Sequence, residues 1–311
     1  MNLEEVLKDI PDLEVSIDKD LTGHSTMRLR ARGDLVTVKS KESLSKVLIA
    51  LNNKSIPYKV LGWGSNILLK PISKEVYLDL DFPFDKSILA KPSDNYVLPA
   101  SIPLNVLTAH AIKYGLKGFE SFTGIPASLG GAVFMNAGTG LGEIGSIVRK
   151  VKVMGPSGTE RVVTINKDSF SYRKNNFLKP NEVIFEVELT HLGVDPTISK
   201  VIRDYLDYRT NSQPLDAKTC GCAFKNDHSY FKDKTCQAGK FIDLVGLKGF
   251  TLNGIKVSPK HGNFLENVGD GDYFDVINVM DRVKMELELH FGITFNKEVE
   301  LLKNLFFFLQ S

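Results

Sequence analysis

The sequence predicts a protein of mixed α and β structure, an α+β chain whose first two thirds are followed by a separate α+β module. Three observations carry this. Short apolar runs ending at glycine or proline alternate with longer runs in which apolar residues recur every three or four positions, the signatures of strands and helices. The composition changes at Gly193-Val194-Asp195-Pro196, after which helical spacing resumes. Within the first part lies Gly118 to Gly145, with eight glycines and no lysine or arginine. There the backbone itself can approach a flat or anionic ligand, because glycine has no Cβ to hold it away.

The elements follow in order. Leu35 to Val38 reads as a short strand, and Ser40 is placed to cap a helix over 41–53 whose Leu44, Val47, Leu48 and Leu51 share a face. Tyr58 to Leu61 and Ile67 to Leu69 read as strands around Gly62-Trp63-Gly64-Ser65-Asn66, by itself more a hairpin turn than a phosphate site, since it lacks a P-loop lysine. Strands are expected at Val76–Leu80 and Tyr96–Ala100, then a helix from Pro103 to Gly115. Ala127 to Met135 reads as a short helix, with Pro126 in its first turn. Val148–Val153 and Arg161–Ile165 flank Gly155-Pro156-Ser157-Gly158 as a hairpin, and Val183, Phe185, Val187 and Leu189 alternate as a half-buried strand. Beyond 196, Ile198, Val201, Ile202 and Tyr205 mark a helix halted by Pro214. Short strands at Ala223–Phe224, Ile255–Val257 and Phe264–Leu265 accompany helices at Ala238–Leu244 and Tyr273–Phe291, the latter closed by Gly292.

A chain of 311 residues with a net charge of +2 can bury a large core and offers no global attraction to nucleic acid or a membrane surface. Its start carries acids rather than a signal peptide, and the apolar cluster at 305–309 is too short to cross a bilayer. Three cysteines, Cys220, Cys222 and Cys236, fit a reducing compartment, so the cytoplasm is expected. Cys220 and Cys222 form C-x-C, but a fourth ligand at zinc spacing is missing and no metal site is expected.

Along the chain stand GWGSN at 62–66, GIPASLGGAVFMNAG at 124–138, SYRKNNF at 171–177, YRTNSQP at 208–214, CGCAFKN at 220–226, AGKFIDLVGLKG at 238–249, KVSPKHGNFLEN at 256–267 and NKEV at 296–299. Taken together, and in this order, these motifs resemble the UDP-N-acetylenolpyruvoylglucosamine reductase (MurB) family over nearly the whole chain. The resemblance implies an FAD-binding fold of the vanillyl-alcohol-oxidase/p-cresol-methylhydroxylase type, with two α/β subdomains at 1–75 and 76–193, and an α+β substrate domain at 194–311. It implies non-covalent FAD, reduction by NADPH, a UDP-sugar substrate whose enolpyruvyl ether becomes a lactyl ether, and a role in peptidoglycan precursor synthesis. The chain resembles the shorter, type II form and is expected to act as a monomer.

Residue roles follow from the same resemblance. Cys222 stands where the family usually carries a serine proton donor; a thiol is the stronger acid, while a packing role is the alternative. Arg173 matches the catalytic arginine, with Asn175 in place of a family serine, and Glu298 matches the catalytic glutamate. Gly62, Gly64, Ser65 and Asn66 are assigned to the flavin pyrophosphate, and Gly124, Ile125, Pro126, Gly130, Gly131, Ala132, Asn136, Ala137 and Gly138 to the ring and ribityl side. His261 is either flavin-side or structural. Tyr172, Arg209, Gln213, Lys225 and Asn226 are the substrate candidates. Another FAD oxidase or dehydrogenase of this fold, or a non-catalytic UDP-sugar-binding relative, remains an alternative at this stage.

Overall fold

A computed structural model describes residues 2–231 and 234–301; the apolar cluster at 305–309 lies outside them. The chain divides into two compact units. One comprises the chain through Lys19, Gly33–Trp63 and Lys74–Ser212; the other comprises Asp20–Arg32, Gly64–Ser73 and the chain from Gln213 onward.

The first unit opens with α1 (Leu3–Leu7), β1 (Leu13–Asp20), β2 (Arg32–Val38), α2 (Lys41–Asn53) and β3 (Tyr58–Val60). The Ser40 side chain accepts from the Ser43 amide and caps α2 as its sequence predicts. Beyond β4 (Ile67–Leu68), which lies in the second unit, the chain returns as β5 (Val76–Leu80). These strands form a sheet in the order β1-β2-β5-β3, with β2 and β3 both parallel to β5. Such parallel strands are covered on their faces and read as unbroken apolar runs. Val36, Val38, Val76 and Leu78 are buried against Leu44, Val47, Leu48 and Leu51 of α2.

A second sheet follows: β6 (Tyr96–Pro99), β9 (Val148–Met154), β10 (Glu160–Thr164) and β13 (Val183–Leu189) in the antiparallel order β10-β9-β13-β6. Its core is shared with α3 (Leu104–Tyr114), α4 (Leu129–Phe134) and α5 (Ile198–Ser212). Gly115 closes α3 in the left-handed conformation, φ 68°. Two small hairpins, β7 (Gly138–Thr139) with β8 (Gly142–Glu143) and β11 (Phe170–Ser171) with β12 (Lys174–Asn175), edge this unit.

The second unit holds a four-stranded sheet, β14 (Thr219–Cys222), β19 (Phe264–Asn267), β18 (Ile255–Val257) and β17 (Thr251–Leu252), all pairs antiparallel. It also has the β15 (Asp227–Phe231) and β16 (Lys234–Cys236) pair, α6 (Ala238–Leu244), α7 (Tyr273–Phe291), and β20 (Glu300–Leu301) parallel to β4. Asp272 and Asp275 cap α7 reciprocally and Gly292 ends it at φ 63°. Val276, Val279, Met280, Val283 and Leu287 give α7 its buried face.

Two expectations are corrected here. The strands around the glycine turn do not form a hairpin: β3 joins β5, whereas β4 joins β20 from the far end of the chain. The unit boundary lies at 212/213 rather than 193/194, because Ile198 and Ile202 of α5 are buried in the core of the first unit with Leu206 packed on it.

That core contains a titratable group. His110 is 5% exposed, its Nε2 lies 3.0 Å from the Tyr96 hydroxyl, and the same hydroxyl accepts from the Ser93 amide at 2.8 Å. Burial pulls its pKa below the ordinary 6.5, assisted by Lys113 and opposed by the Leu89 backbone. The unfolded chain therefore takes up this proton at a higher pH than the folded one, so the stability is present above the ordinary value and is lost as pH falls below it. Thermal unfolding between about pH 8 and about pH 5 should show Tm falling on the acid side, and His110→Gln should flatten part of that slope. An unchanged slope in the variant would contradict this account of His110.

Candidate active site

In the first unit, the glycine-rich segment is more tightly packed than its sequence indicates. α4 begins at Leu129 with Ser128 as its cap, so Pro126 precedes the helix instead of sitting in its first turn. The reason is a set of bonds that commit the preceding residues: the Leu104 amide donates to Ala127 O, and the Leu129 and Gly130 amides donate to Ile102 O and Ala100 O. A Cβ on Gly130 would stand 2.7 Å from that of Ala100, so this glycine permits helix-on-strand contact. Ala132 and Ala137 are buried with it. Gly62, Gly124, Ile125, Pro126, Gly131 and Gly138 retain exposure and can touch a ligand. A Cβ on Gly62 would meet Ser128 Oγ at 2.9 Å, so this turn residue abuts the cap of α4.

Asn136, 1% exposed and at φ 49°, ties this region together. Its Nδ2 donates to Glu143 Oε2 at 2.7 Å and Ser171 O at 3.1 Å, and its Oδ1 accepts from the Gly145 amide. Its side chain is thereby committed to protein. Arg173, at φ 53°, donates from Nη2 to Gly138 O at 2.8 Å, approaches Glu143 Oε1 at 3.5 Å and lies over the Tyr172 ring at 5.1 Å. The motif arginine is thus in direct contact with the glycine segment, through Gly138 and through Glu143, a residue that no motif singles out. Asn175 donates to Phe134 O at 2.6 Å and accepts from the Leu178 amide, so it fastens β12 to the end of α4. Arg209 donates to Thr123 O at 2.7 Å and fills the space beside Gly124, which has φ 72°.

In the second unit, Gly64 has φ 64° and a Cβ there would fall 2.1 Å from the His24 carbonyl oxygen. The Thr26 amide donates to Gly64 O. Among the described residues, no protein acceptor takes the amides of Gly64, Ser65 or Asn66, nor, in the first unit, those of Gly62 and Trp63. Consecutive free amides on a left-handed glycine turn form the donor set that a pyrophosphate accepts. The residues present therefore fit the dianionic linkage of a dinucleotide. The Asn66 side chain is otherwise engaged, donating to Glu298 O at 3.3 Å.

The remaining motif residues are linked through backbone. Cys222 is half-buried at the end of β14, opposite Phe264. Ala223 follows it: the Glu298 amide donates to Ala223 O at 2.8 Å, and the Ala223 amide donates to Asn263 O at 2.8 Å. Lys225 donates its amide to Asn296 O. Asn226 Oδ1 accepts from the Ala238 amide at the start of α6, a structural role for a residue expected to meet substrate. Gln213 is half-buried, its carbonyl accepting from the Leu215 amide. His261 Nδ1 accepts from the Asn263 amide at 3.2 Å, which leaves the proton on Nε2. Burial pulls its pKa down, and it packs where Gly239 has no side chain. Cys220 is fully buried and its thiol is pushed up to about 12, chiefly by desolvation.

The comparisons fit this division. The family model of the UDP-N-acetylenolpyruvoylglucosamine reductase C-terminal domain matches residues 213–302, and that of an FAD binding domain matches residues 34–164. UDP-N-acetylenolpyruvoylglucosamine reductase of Halalkalibacterium halodurans is 32% identical over 304 residues, covering 96% of this chain and 98% of the relative. The chain belongs to the UDP-N-acetylenolpyruvoylglucosamine reductase family. The Streptococcus pneumoniae reductase is likewise 32% identical over 310 residues, covering 96% of this chain and 97% of its own. The crystal structure of UDP-N-acetylenolpyruvylglucosamine reductase (MurB) from Thermus caldophilus superposes with a TM-score of 0.76 at 29% identity, over 94% of this chain and 99% of that one. The fold class read from the motifs, an FAD-binding fold followed by an α+β domain, is therefore the one observed.

The turn at Gly64 yields a direct test. Gly64→Ala places a methyl group against backbone in a conformation that alone costs an L-residue about 1–3 kcal/mol. The variant should show a lower Tm and retain less FAD than the parent protein, measured by absorbance after gel filtration. Full FAD retention and an unchanged Tm would contradict the geometry.

Proposed function

We propose that the chain catalyses NADPH-dependent reduction of the enolpyruvyl ether of UDP-N-acetylglucosamine-enolpyruvate to UDP-N-acetylmuramate, acting as a monomer in the cytoplasm during peptidoglycan precursor synthesis. Membership of the reductase family and the matched FAD binding domain support the reaction class. The observation that carries the residue roles is the backbone of Ala223, which places the main chain of Cys222 and of Glu298 beside one another and beside Asn66 of the glycine turn.

Bound FAD supplies the hydride that originates on NADPH. The residues of this chain have four tasks. The free amides of 62–66 hold the pyrophosphate, and the accessible glycines of 124–138 border the rings. Arg173 holds the substrate carboxylate, where charge accumulates once one vinyl carbon has received hydride, and its fixed guanidinium disperses that charge. Cys222 gives its Sγ proton to the other vinyl carbon, so the ether gains two hydrogens and the sulfur is left as a thiolate that solvent reprotonates. Glu298 completes the donor set around the developing enolate, and Lys225, with Gln213 and Tyr172, meets the UDP-sugar. The first unit is thus the flavin domain and most of the second the substrate domain.

The two half-reactions separate these roles. Cys222→Ala should leave reduction of the bound flavin by NADPH unchanged while its reoxidation by the enolpyruvyl UDP-sugar slows by about 10²–10⁴-fold, the usual effect of removing a general acid. Cys222→Ser should remain active. Stopped-flow absorbance reads both steps, and equal slowing of the two in Cys222→Ala would rule out the proton-donor role.

A further inference from the structure

Asn263 holds the segment that carries the proton donor, yet no sequence motif assigned it a task. It is 3% exposed, in the loop leading into β19. Its side-chain amide bonds one residue with both of its ends: Oδ1 accepts from the Phe224 amide at 2.9 Å, and Nδ2 donates to the Phe224 carbonyl at 2.8 Å. Its own carbonyl accepts from the Ala223 amide at 2.8 Å. Three hydrogen bonds from a single buried asparagine therefore meet the two residues that follow Cys222. On the other side, the Glu298 amide meets Ala223 O, the Asn296 carbonyl meets the Lys225 amide, and Phe224 bridges Lys297. The stretch from Ala223 to Lys225 is thus fixed from two sides, by Asn263 and by the chain around Glu298.

We propose that Asn263 is a positioning residue for the reduction, setting Cys222 relative to Glu298 without itself touching substrate. The physical case is one of alternatives. Ala223 to Lys225 extends past the end of β14, where the ladder to β19 has stopped at the Cys222–Phe264 pair. On that side the ladder offers no further partner, so the Ala223 amide and the Phe224 amide and carbonyl need one in a buried environment, or they carry a desolvation cost. An asparagine amide carries a carbonyl acceptor and an N–H donor at the spacing of a peptide group, so it replaces a missing strand. Aspartate lacks the donor, and alanine lacks both. The clamp also fixes direction: with Phe224 held at N–H and C=O, the backbone on its N-terminal side cannot rotate, so the Cα–Cβ bond of Cys222 keeps its orientation. Displacement of a reacting group by about 1 Å costs roughly 10²-fold in rate.

This inference rests on the assignment of Cys222 as proton donor, and the test distinguishes the failure of each. Asn263→Asp and Asn263→Ala are prepared in the full-length holoenzyme, alone and combined with Cys222→Ala, and the two half-reactions are followed by stopped flow. Bound FAD and the rate of reduction by NADPH report whether each variant is folded. The isosteric Asn263→Asp keeps the experiment interpretable if Asn263→Ala does not fold. Reoxidation by the enolpyruvyl UDP-sugar should slow about 10- to 100-fold in the Asn263 variants, with reduction unchanged. Combined with Cys222→Ala, the same substitution should add almost nothing, because residues that act as one unit are not additive. Equal slowing of both half-reactions would show a merely structural role and overturn the proposal. So would full additivity with Cys222→Ala, or unaltered reoxidation. If Cys222→Ala alone leaves reoxidation unchanged, the proton-donor assignment fails first, a result visible before any Asn263 variant is compared.

Discussion

The constraint on which the site depends is the absence of a side chain at Gly64. Its φ of 64° and the 2.1 Å that would separate a Cβ from the His24 carbonyl oxygen leave no alternative to glycine. At this turn, the five successive amides from Gly62 to Asn66 have no protein acceptor among the described residues. In the proposed reading, a protein of net charge +2 receives a dianion there through backbone amides rather than through a lysine-rich pocket. Asn66, at the end of the turn, continues the ordering by donating to Glu298 O and accepting from the Glu300 amide.

From that point the proposed chemistry is arranged by backbone rather than by side-chain contacts. Ala223 has no functional side chain, but its carbonyl and amide bind the chain at Glu298 and at Asn263. Separately, in the first unit, Arg173 is oriented by Gly138 O, Tyr172 and Glu143, and Glu143 is held by Asn136. The first-unit arrangement uses strained backbone, with Arg173 at φ 53° and Asn136 at φ 49°. Such positions are affordable only where surrounding bonds over-determine them, as the three bonds of the Asn136 side chain do.

Much of the fold was legible in the sequence where the determinants are local. α2 and α7 run where the sequence places them, since Ser40, Asp272 and Gly292 act on their own turn, and α6 spans Ala238–Leu244 as its apolar spacing indicates although no side chain caps it. The errors share a cause, which is that the deciding partner is remote in the chain. The supposed hairpin at 58–69 failed because β4 pairs with β20, over 230 positions away by residue number. α4 starts late because the Ala127 carbonyl is taken by the Leu104 amide and Ser128 bridges Pro103. α5 belongs with the first unit because its apolar face is buried there, although composition changes before it. The site divides in the same way. Its glycines and motif residues were readable as types in order, whereas Glu143 and Asn263 were not, since nothing in their local sequence names Arg173 or Phe224 as a partner. Asn226 and Asn136 were read as ligand contacts, and the structure shows their side chains already bonded to protein.

The most direct test of the account is an absorbance spectrum of the purified protein, followed anaerobically on addition of NADPH and then of the enolpyruvyl UDP-sugar. The account predicts flavin bands that bleach with NADPH and return with the sugar in stoichiometric amount. A protein that binds no flavin after incubation with FAD would contradict the role given to the glycine turn, and bleaching without return would contradict the assigned acceptor.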